Sequence, residues 1–449
     1  MKINLNQTKK KSLSLVRKAQ IGLLSLMLLS LFAGHINQTD GTGDFSSELA
    51  SNAKRDTVLG KVKVVKPKTE KDILDPAISK MWGLQSMNAI KAWNNLKIKG
   101  SKKIIVAVID TGLDTKHPDL QKNLWVNTKE IPGNNIDDDK NGCIDDIHGC
   151  NLITKTGDIK DNHGHGSHIA GIIGATHGNG IGISGVAPNV SMMILKYYDP
   201  KAPGINNLVN TVEAIKYAVK HGAHIINYSG GGLEASPAER KAIEAARKKG
   251  ILFVAAAGNE RSNSDVNGYY PADYKMSNII SVTAIDKNKY VLPSSNYGAA
   301  SVDLAAPGNN ILSTLPNGQY GKMTGTSQAT AFVTGVAALI MSRFPDYKPQ
   351  KIIKHLTQTG DLDQRLSGKT KFKKRLNTFR ALTILDSGVS ATGIMASNTD
   401  NIPKNTFTMK ESADDSSVAA TGDEFSGLSS FAKRMQKELS KSVNTATTR

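Results

Sequence analysis

Cysteine is scarce in this chain: Cys143 and Cys150 are the only two among 449 residues. Two cysteines exclude the multi-disulfide framework that holds small secreted domains together. They leave open one bridge between the pair, which can form if the protein is exported. Apolar residues make up 39% of the chain, so a large core is expected instead.

Aromatic residues are also few, at 5%. The basic runs 9–11 and 373–375 contain none, and the other lysines are scattered. A formal net charge of +18 could attract nucleic acid or an anionic membrane. Without aromatic residues between the basic ones, the pattern favours a solvated basic surface, and we expect no nucleic-acid partner.

The N-terminal region has no acidic residue between positions 2 and 18, but it has several basic ones. The apolar run that follows, 21–33, is shorter than the roughly 20 residues of a membrane span. Small residues at Ala33 and Gly34 complete the pattern of a signal peptide over 1–33. We therefore expect export, to the medium or the cell envelope, with no stable membrane span in the mature form. A retained anchor is the alternative.

Composition divides the rest of the chain into three parts. Residues 34–74 are polar and basic, and we interpret them as a pro-segment or linker. Residues 75–385 carry the apolar patterns of a folded domain. Residues 386–449 are polar and are expected to be a disordered tail. Within that tail, 425–439 has an amphipathic helical face that could lie on a membrane, dock on a partner or dock back on the folded domain.

Five apolar runs of strand length lie within 75–385, at 104–109, 192–195, 224–227, 251–257 and 279–285. They are nearly continuous rather than alternating, as in strands that are buried on both faces of a parallel sheet. Helical patterns separate them. One covers 205–220, with Leu208, Val212, Ile215 and Val219 on one face. The alternation predicts an α/β fold with a mostly parallel sheet.

A second helix, 236–249, has clear start and stop signals. Ser236 is a good N-cap, Pro237 fits the first turn, and Glu239 completes a capping box. Gly250 is expected to end the helix.

Three polar residues follow or begin such elements. Asp110 ends the strand 104–109, and Asn259 follows the strand 251–257, so both are expected at the carboxyl edge of the sheet, where ligands bind. Ser327 begins a long apolar helical pattern at 324–344. A serine there can be a helix cap, or a nucleophile if a base is near.

Together these stretches resemble four blocks of the subtilisin-like serine proteases, in that family's order. "VAVIDTGLDTKHPDL" is similar to the block of the acidic residue, Asp110, and "HGSHIAG" to that of the base, His165. "FVAAAGNE" carries the oxyanion donor Asn259, and "GTSQATAFVTG" the nucleophile Ser327. The resemblance implies a three-layer subtilisin-like domain, its sheet flanked by helices. It also implies a serine endopeptidase that works through a Ser-His-Asp triad and an acyl-enzyme.

A fifth stretch, "INYSGGG", resembles the family's substrate-lining strand, in which the backbone of Ser229, Gly230 and Gly231 pairs with a protein or peptide substrate. A monomer is expected. Two positions depart from the family's pattern. Ala331 replaces the usual proline of the serine block. Tyr269 stands where better-known members have a small residue, on the floor of the pocket for the residue before the cut.

Three histidines in "DNHGHGSH" also allow a metal-dependent hydrolase. That interpretation requires an aspartate at the position of Ser167. It also requires further ligands downstream, and the histidines found there do not stand in a matching sequence context. The serine-protease interpretation uses only His165 and leaves His163 as a loop residue and His168 as a packed helix residue. A third alternative is a catalytically silent binding protein with the subtilase fold.

The acidic run 134–150 predicts a calcium loop. Its candidate ligands are Asp137, Asp139, Asn141, the backbone carbonyl of Cys143, and Asp145, with Gly142 at the sharp turn. His148 stands where an EF-hand has glutamate, so an EF-hand proper is not expected. A solvated acidic loop is the alternative. Asp119 with 179–183 resembles a second calcium loop of the family.

Overall fold

The computed structural model of the chain describes residues 75–202 and 207–385. The predicted signal peptide, the pro-segment or linker, and the C-terminal tail with its amphipathic face at 425–439 lie outside these ranges. Within them, no helix is both long enough and apolar enough to cross a membrane.

The described residues form eleven strands and eight α-helices. The strands are β1 Ile105–Asp110, β2 Gly149–Asn151, β3 Ser191–Lys196, β4 Ile225–Tyr228, β5 Leu252–Ala256, β6 Ile279–Ile285, β7 Leu304–Pro307, β8 Ile311–Leu315, β9 Gln319–Met323, β10 Asp361–Leu362 and β11 Lys374–Arg375. The helices are α1 Trp82–Ser86, α2 Ala89–Leu96, α3 His165–Gly174, α4 Asn207–Lys220, α5 Pro237–Lys248, α6 Thr326–Arg343, α7 Pro349–Thr359 and α8 Thr378–Thr383.

Nine strands make one sheet, in the order β10-β11-β7-β6-β5-β4-β1-β3-β2. All neighbours in it are parallel except β10 and β11. The hairpin β8-β9 forms a separate antiparallel pair. The five predicted strands are therefore confirmed as β1, β3, β4, β5 and β6, and the mostly parallel sheet is confirmed.

The sheet is buried on both faces, as the continuous apolar runs predict. On one face, Val106 and Val108 of β1 lie in the same apolar core as α3 and α6. On the other face, Ala107 and Ile109 lie in the same core as α4 and α5. The alternation of side chains along β1 thus supplies both cores, and the result is a three-layer α/β domain.

The face predicted for α4 is buried only in part, whereas the cap predicted for α5 is formed. Leu208 is 44% exposed, whereas Val212 and Ile215 of the same expected face are buried. Ser236 does cap α5, because its Oγ accepts from the backbone N–H of Glu239 at 3.3 Å.

The capping box of α5 is only half formed. The Glu239 carboxylate accepts from the Tyr274 hydroxyl at 2.9 Å instead of returning to Ser236. The backbone N–H of Ser236 donates to the same hydroxyl, at 2.7 Å. A tertiary contact has replaced the local one.

The neighbouring strands β1, β4 and β5 place the candidate site residues at the same edge of the sheet. These strands are neighbours and run parallel, so their carboxyl ends lie side by side. Asp110 ends β1, Ser229 follows β4, and Asn259 follows β5 by three residues. This edge is the expected ligand position of an open α/β sheet.

Candidate active site

Asp110 and His165 meet directly. Asp110 is 2% exposed at the end of β1, and His165 is the first residue of α3. The Nδ1 atom of His165 lies 2.7 Å from Oδ1 of Asp110. A carboxylate at this distance holds the proton on Nδ1 and leaves Nε2 as the basic nitrogen.

A close backbone approach makes this pairing possible. The N–H of Gly166 donates to the Thr111 hydroxyl at 2.8 Å. A Cβ atom on Gly166 would lie 2.1 Å from the carbonyl oxygen of Gly112. Only glycine lets the start of α3 come this near to the loop after β1.

Asp161 supports the same junction. Its carboxylate accepts from the Thr111 hydroxyl at 2.9 Å and from the backbone N–H of Gly164 at 2.7 Å. It also accepts from both the N–H and the hydroxyl of Ser167, at 2.9 and 2.7 Å. It therefore ties the first turn of α3 to the loop after β1, and its charge lies at a helix N-terminus, where it is favourable.

The charges around His165 change its proton affinity. Burial acts to lower the pKa of the imidazole, but the charge and hydrogen bond of Asp110 outweigh it. The charge of Asp161 acts in the same direction as Asp110, so the pKa of His165 is raised above 6.5. The protonated imidazole is thus stabilised by two carboxylates.

Ser327 lies in the first turn of α6 and is nearly buried. Its hydroxyl donates to the backbone carbonyl of Ser229 at 3.0 Å. Asn259 is fixed beside it, because its Oδ1 accepts from the backbone N–H of Thr326 at 3.0 Å and from that residue's hydroxyl at 3.2 Å. This arrangement leaves the Nδ2 group of Asn259 as a donor next to the start of α6.

The other two histidines of the cluster have separate roles. His163 is an exposed loop residue, with its ring centroid 6.2 Å from that of His165. His168 is completely buried in α3, and its Nε2 lies 2.9 Å from the carbonyl oxygen of Ile311. Burial, with the nearby His165, lowers the pKa of His168 to about 3. Both residues therefore have the environments expected from the serine-protease interpretation.

The predicted substrate-lining segment, 229–231, directly follows β4 and is at least partly exposed. Gly232 pairs antiparallel with Tyr270 through two backbone hydrogen bonds of 2.9 and 2.7 Å. Gly230 and Gly231 precede it, and both are at least partly exposed. Tyr269, the large residue of the predicted pocket, lies against Gly231: a Cβ atom there would be 2.4 Å from Cε1 of its ring.

The acidic loop brings together part of the predicted ligand set. Carboxylate oxygens of Glu130, Asp137 and Asp139 lie within 4.8 Å of one another. Asp145 is not among them, because its carboxylate accepts the backbone N–H groups of residues 133–135. The side chain of Asn141 is also engaged within the loop: Oδ1 accepts from the N–H of Cys143 at 2.8 Å.

Two atoms of this acidic group lack partners among the described residues. Oε2 of Glu130 and Oδ1 of Asp139 are buried without a hydrogen bond. Burial raises the pKa of the Glu130 carboxyl, and the neighbouring charges of Asp146 and Asp139 push it in the same direction. Buried, unpaired carboxylate oxygens are costly, and hard oxygen atoms of this kind are calcium ligands. The donor set therefore fits a calcium ion.

A disulfide joins Cys143 and Cys150. It connects the acidic loop to β2, which begins at Gly149. The bridge that the sequence left open is thus present.

The second predicted calcium loop is internally hydrogen-bonded. Oδ1 of Asp119 accepts from Asn179 at 2.7 Å, and Oδ2 accepts from the hydroxyl of Tyr320 at 2.8 Å. Burial raises the pKa of Asp119 to about 6, and the charge of Asp75 acts in the same direction. Asp75 is fully buried and accepts from the backbone N–H groups of Gly178, Asn179 and Gly180.

Sequence reasoning missed Asp161, Thr111 and Glu130. Asp161 stands in the stretch "DNHGHG" just before α3, where an acceptor for free helix N–H groups is common, so its position offered a signal. Glu130 lies upstream of the acidic run, in no spacing that marks it.

A parallel α/β sheet whose carboxyl edge carries an Asp–His pair and a serine at a helix N-terminus has the construction of a serine hydrolase. The profile of the Subtilase family matches residues 101–381. This chain belongs to the subtilase family.

Several curated relatives are similar to it. "Major intracellular serine protease" of Bacillus subtilis (strain 168) is 38% identical over 286 residues, which are 63% of this chain and 81% of the relative. "Subtilisin-like protease 1" of Plasmodium berghei (strain Anka) is 36% identical over 290 residues, or 61% of this chain and 48% of the relative. Its namesake from Plasmodium falciparum (isolate 3D7) is 37% identical over 270 residues, 56% of this chain and 39% of the relative. The chain therefore spans less than half the length of these Plasmodium relatives.

Proposed function

We propose that this protein is a serine-type endopeptidase that hydrolyses protein or peptide substrates through an acyl-enzyme, with Ser327, His165 and Asp110 as its triad. The observation that carries the proposal is the 2.7 Å contact between His165 Nδ1 and Asp110 Oδ1. It lies at the sheet edge that also carries Ser327 and Asn259. Membership of the subtilase family supports the same reaction class.

The triad divides the work of acyl transfer. The serine hydroxyl is a weak nucleophile and needs a base. His165 Nε2 takes the proton as Ser327 Oγ attacks the carbonyl carbon, and then returns it to the leaving amine. Asp110 fixes the Nδ1 tautomer and stabilises the imidazolium. Water then attacks the acyl-enzyme by the same route.

In the free protein the Ser327 hydroxyl donates to the carbonyl of Ser229. A substrate that pairs with the segment 229–231 brings its own N–H groups to the carbonyls of that segment. The hydroxyl is then released to turn towards His165. Catalytic hydrogen bonds often form only in the substrate complex.

The developing oxyanion needs donors that are already oriented. The Nδ2 group of Asn259 and the backbone N–H of Ser327 are the two candidates, and the N-terminus of α6 favours the negative charge. In subtilisin, the reference case for such an asparagine, losing this donor costs about 10²–10³ in kcat.

Replacement of the nucleophile tests the proposal. We expect purified Ser327→Ala to lose casein hydrolysis and to keep its melting temperature. The matched control is Ser342→Ala, a serine at the far end of α6. Casein hydrolysis by Ser327→Ala at the wild-type rate would show that another residue is the nucleophile. The catalytically silent alternative predicts no hydrolysis by the wild type either.

We further propose that Glu130, Asp137 and Asp139 hold a structural calcium ion. The unpartnered buried oxygens of Glu130 and Asp139 support this proposal. The ion would neutralise charge in the loop between the Asp110 and His165 segments. The residues of the loop would then stay in their folded arrangement. The disulfide between Cys143 and Cys150 would restrain the second half of the loop.

Export is proposed from the N-terminal segment and is supported by the disulfide, a bond typical of oxidising compartments. The mature chain would start near Asp75, whose buried carboxylate is held by the loop 178–180. N-terminal sequencing of protein from the medium tests both points. A product that stays in the cytosol, or a stable mature start at Gly34 or His35, would contradict them.

A further inference from the structure

The aromatic ring of Tyr269 lies between two glycine-containing segments of the candidate site. At one end, a Cβ atom on Gly231 would be 2.4 Å from Cε1 and 2.9 Å from Cζ of the ring. At the other end, a Cβ atom on Gly258 would be 2.9 Å from Cγ. The ring therefore reaches from the segment that precedes Asn259 to the predicted substrate strand.

The proposed chemistry fixes where the neighbouring substrate side chain must go. The scissile carbonyl is held between Ser327 and Asn259, and the substrate backbone pairs with the segment 229–231. The side chain that precedes the scissile bond then enters between that strand and the segment 256–259. The Tyr269 ring lies between these two segments, against Gly231 at one end and Gly258 at the other.

The ring is held in this position. The backbone N–H of Tyr269 donates to Oδ2 of Asp273 at 2.7 Å. Tyr269 is half-buried, and the next residue, Tyr270, is paired with Gly232, directly after the segment 229–231. Both contacts restrain the backbone from which the ring projects.

Two polar side chains approach Gly258 at the same place as the Tyr269 ring. A Cβ atom there would lie 2.4 Å from both Oε2 of Glu260 and Nδ2 of Asn296. These two atoms are hydrogen-bonded to each other at 2.6 Å. This hydrogen-bonded pair therefore packs against the same glycine as the Tyr269 ring.

We infer that Tyr269 closes the pocket for the residue before the scissile bond and makes the enzyme select substrates with a small side chain there, such as alanine. This inference rests on the proposed function and narrows its substrate class. Tyr269 acts as a specificity-determining residue and takes no part in bond making.

The test uses matched tetrapeptide p-nitroanilides that differ only in alanine or phenylalanine before the scissile bond. Enzyme concentrations are normalised by a serine-directed fluorophosphonate. For the wild type we expect kcat/KM to be at least about tenfold higher with alanine, since pocket contacts of this size discriminate by about 10–200-fold. Tyr269→Gly should raise kcat/KM for the phenylalanine substrate at least about tenfold.

Two variants separate the ring from other effects. Tyr269→Phe keeps the ring and should keep the wild-type ratio of the two substrates. Tyr290→Gly removes an exposed tyrosine elsewhere, and it should also leave the ratio unchanged. A wild type that cleaves the phenylalanine substrate as well as the alanine substrate overturns the inference, even if Tyr269→Gly fails to fold.

Failure of the proposed function gives a different result. If the enzyme reacts with the fluorophosphonate but prefers the phenylalanine substrate, the proposed function stands and the inference about Tyr269 is wrong. A chain that neither reacts with the label nor cleaves either substrate contradicts the function itself.

Discussion

His165 is the side chain whose proton affinity sets the pH dependence of the proposed reaction. Burial acts to lower its pKa, but Asp110 and Asp161 outweigh this effect and raise the pKa above 6.5. The base must be neutral to act, so kcat/KM should rise with pH through this raised pKa. The same shift stabilises the folded state at pH values below 6.5, and that contribution is lost as the pH rises through the folded-state pKa.

Removing one of the two carboxylate charges should move that titration. Asp161→Asn is expected to shift the acid limb of the kcat/KM profile to lower pH, because one charge that favours the imidazolium is gone. Asp158→Asn, an exposed carboxylate of the same loop, is the control and should not move it. The profile of kcat/KM against pH for a p-nitroanilide substrate gives the answer. An unchanged acid limb in Asp161→Asn would mean that this charge does not reach His165.

The start of α3 is the element whose position decides the Asp110–His165 contact. Gly166→Ala introduces a Cβ atom 2.1 Å from a backbone oxygen of the loop after β1. Because that oxygen belongs to the backbone, it cannot move aside as the end of a flexible side chain could. We expect a loss of about 1–3 kcal/mol in the free energy of unfolding and a fall in kcat/KM, because His165 must move away from Asp110. Urea unfolding and p-nitroanilide kinetics measure the two effects. Wild-type values for both would contradict the proposed close packing.

The acidic loop is the element expected to depend on calcium. At free calcium about 100 times the dissociation constant, binding to the folded loop alone is worth about 2.7 kcal/mol. In the Ser327→Ala background, which prevents self-digestion, a chelator should lower the melting temperature by about 5 °C or more. The variant Asp137→Ala plus Asp139→Ala should lose this response.

A matched control removes an exposed carboxylate outside the loop, as Asp346→Ala. That variant should respond to the chelator as the parent does. If calorimetry gives one melting temperature in excess calcium and in excess chelator, the group is a solvated acidic turn.

Across the whole domain, the sequence was most informative where local chemistry and tertiary structure agree. The continuous apolar runs predicted buried parallel strands, and the residues that follow them, Asp110 and Asn259, were predicted correctly at one edge of the sheet. Contacts distant in sequence were not predictable in this way. Glu239 pairs with Tyr274 rather than with its own helix N-terminus.

The acidic loop illustrates the same limit. The spacing of a calcium loop favoured Asp145, but that residue has a left-handed backbone (φ 53°) and its carboxylate is used by a neighbouring turn. Glu130 joins the group from outside the acidic run, through a chain reversal that no local pattern marks. Its closeness to Asp137 and Asp139 is seen only in the positions of the carboxylate oxygens.

The molecule as a whole is proposed to work because its sheet edge brings Asp110, His165 and Ser327 into one catalytic unit. The most direct measurement is the reaction with a serine-directed fluorophosphonate, followed by mass spectrometry of the labelled peptide. We predict one label per chain, on Ser327, with labelling abolished by Ser327→Ala and strongly slowed by His165→Ala. Labelling at another residue, or an equal rate without His165, would contradict the triad.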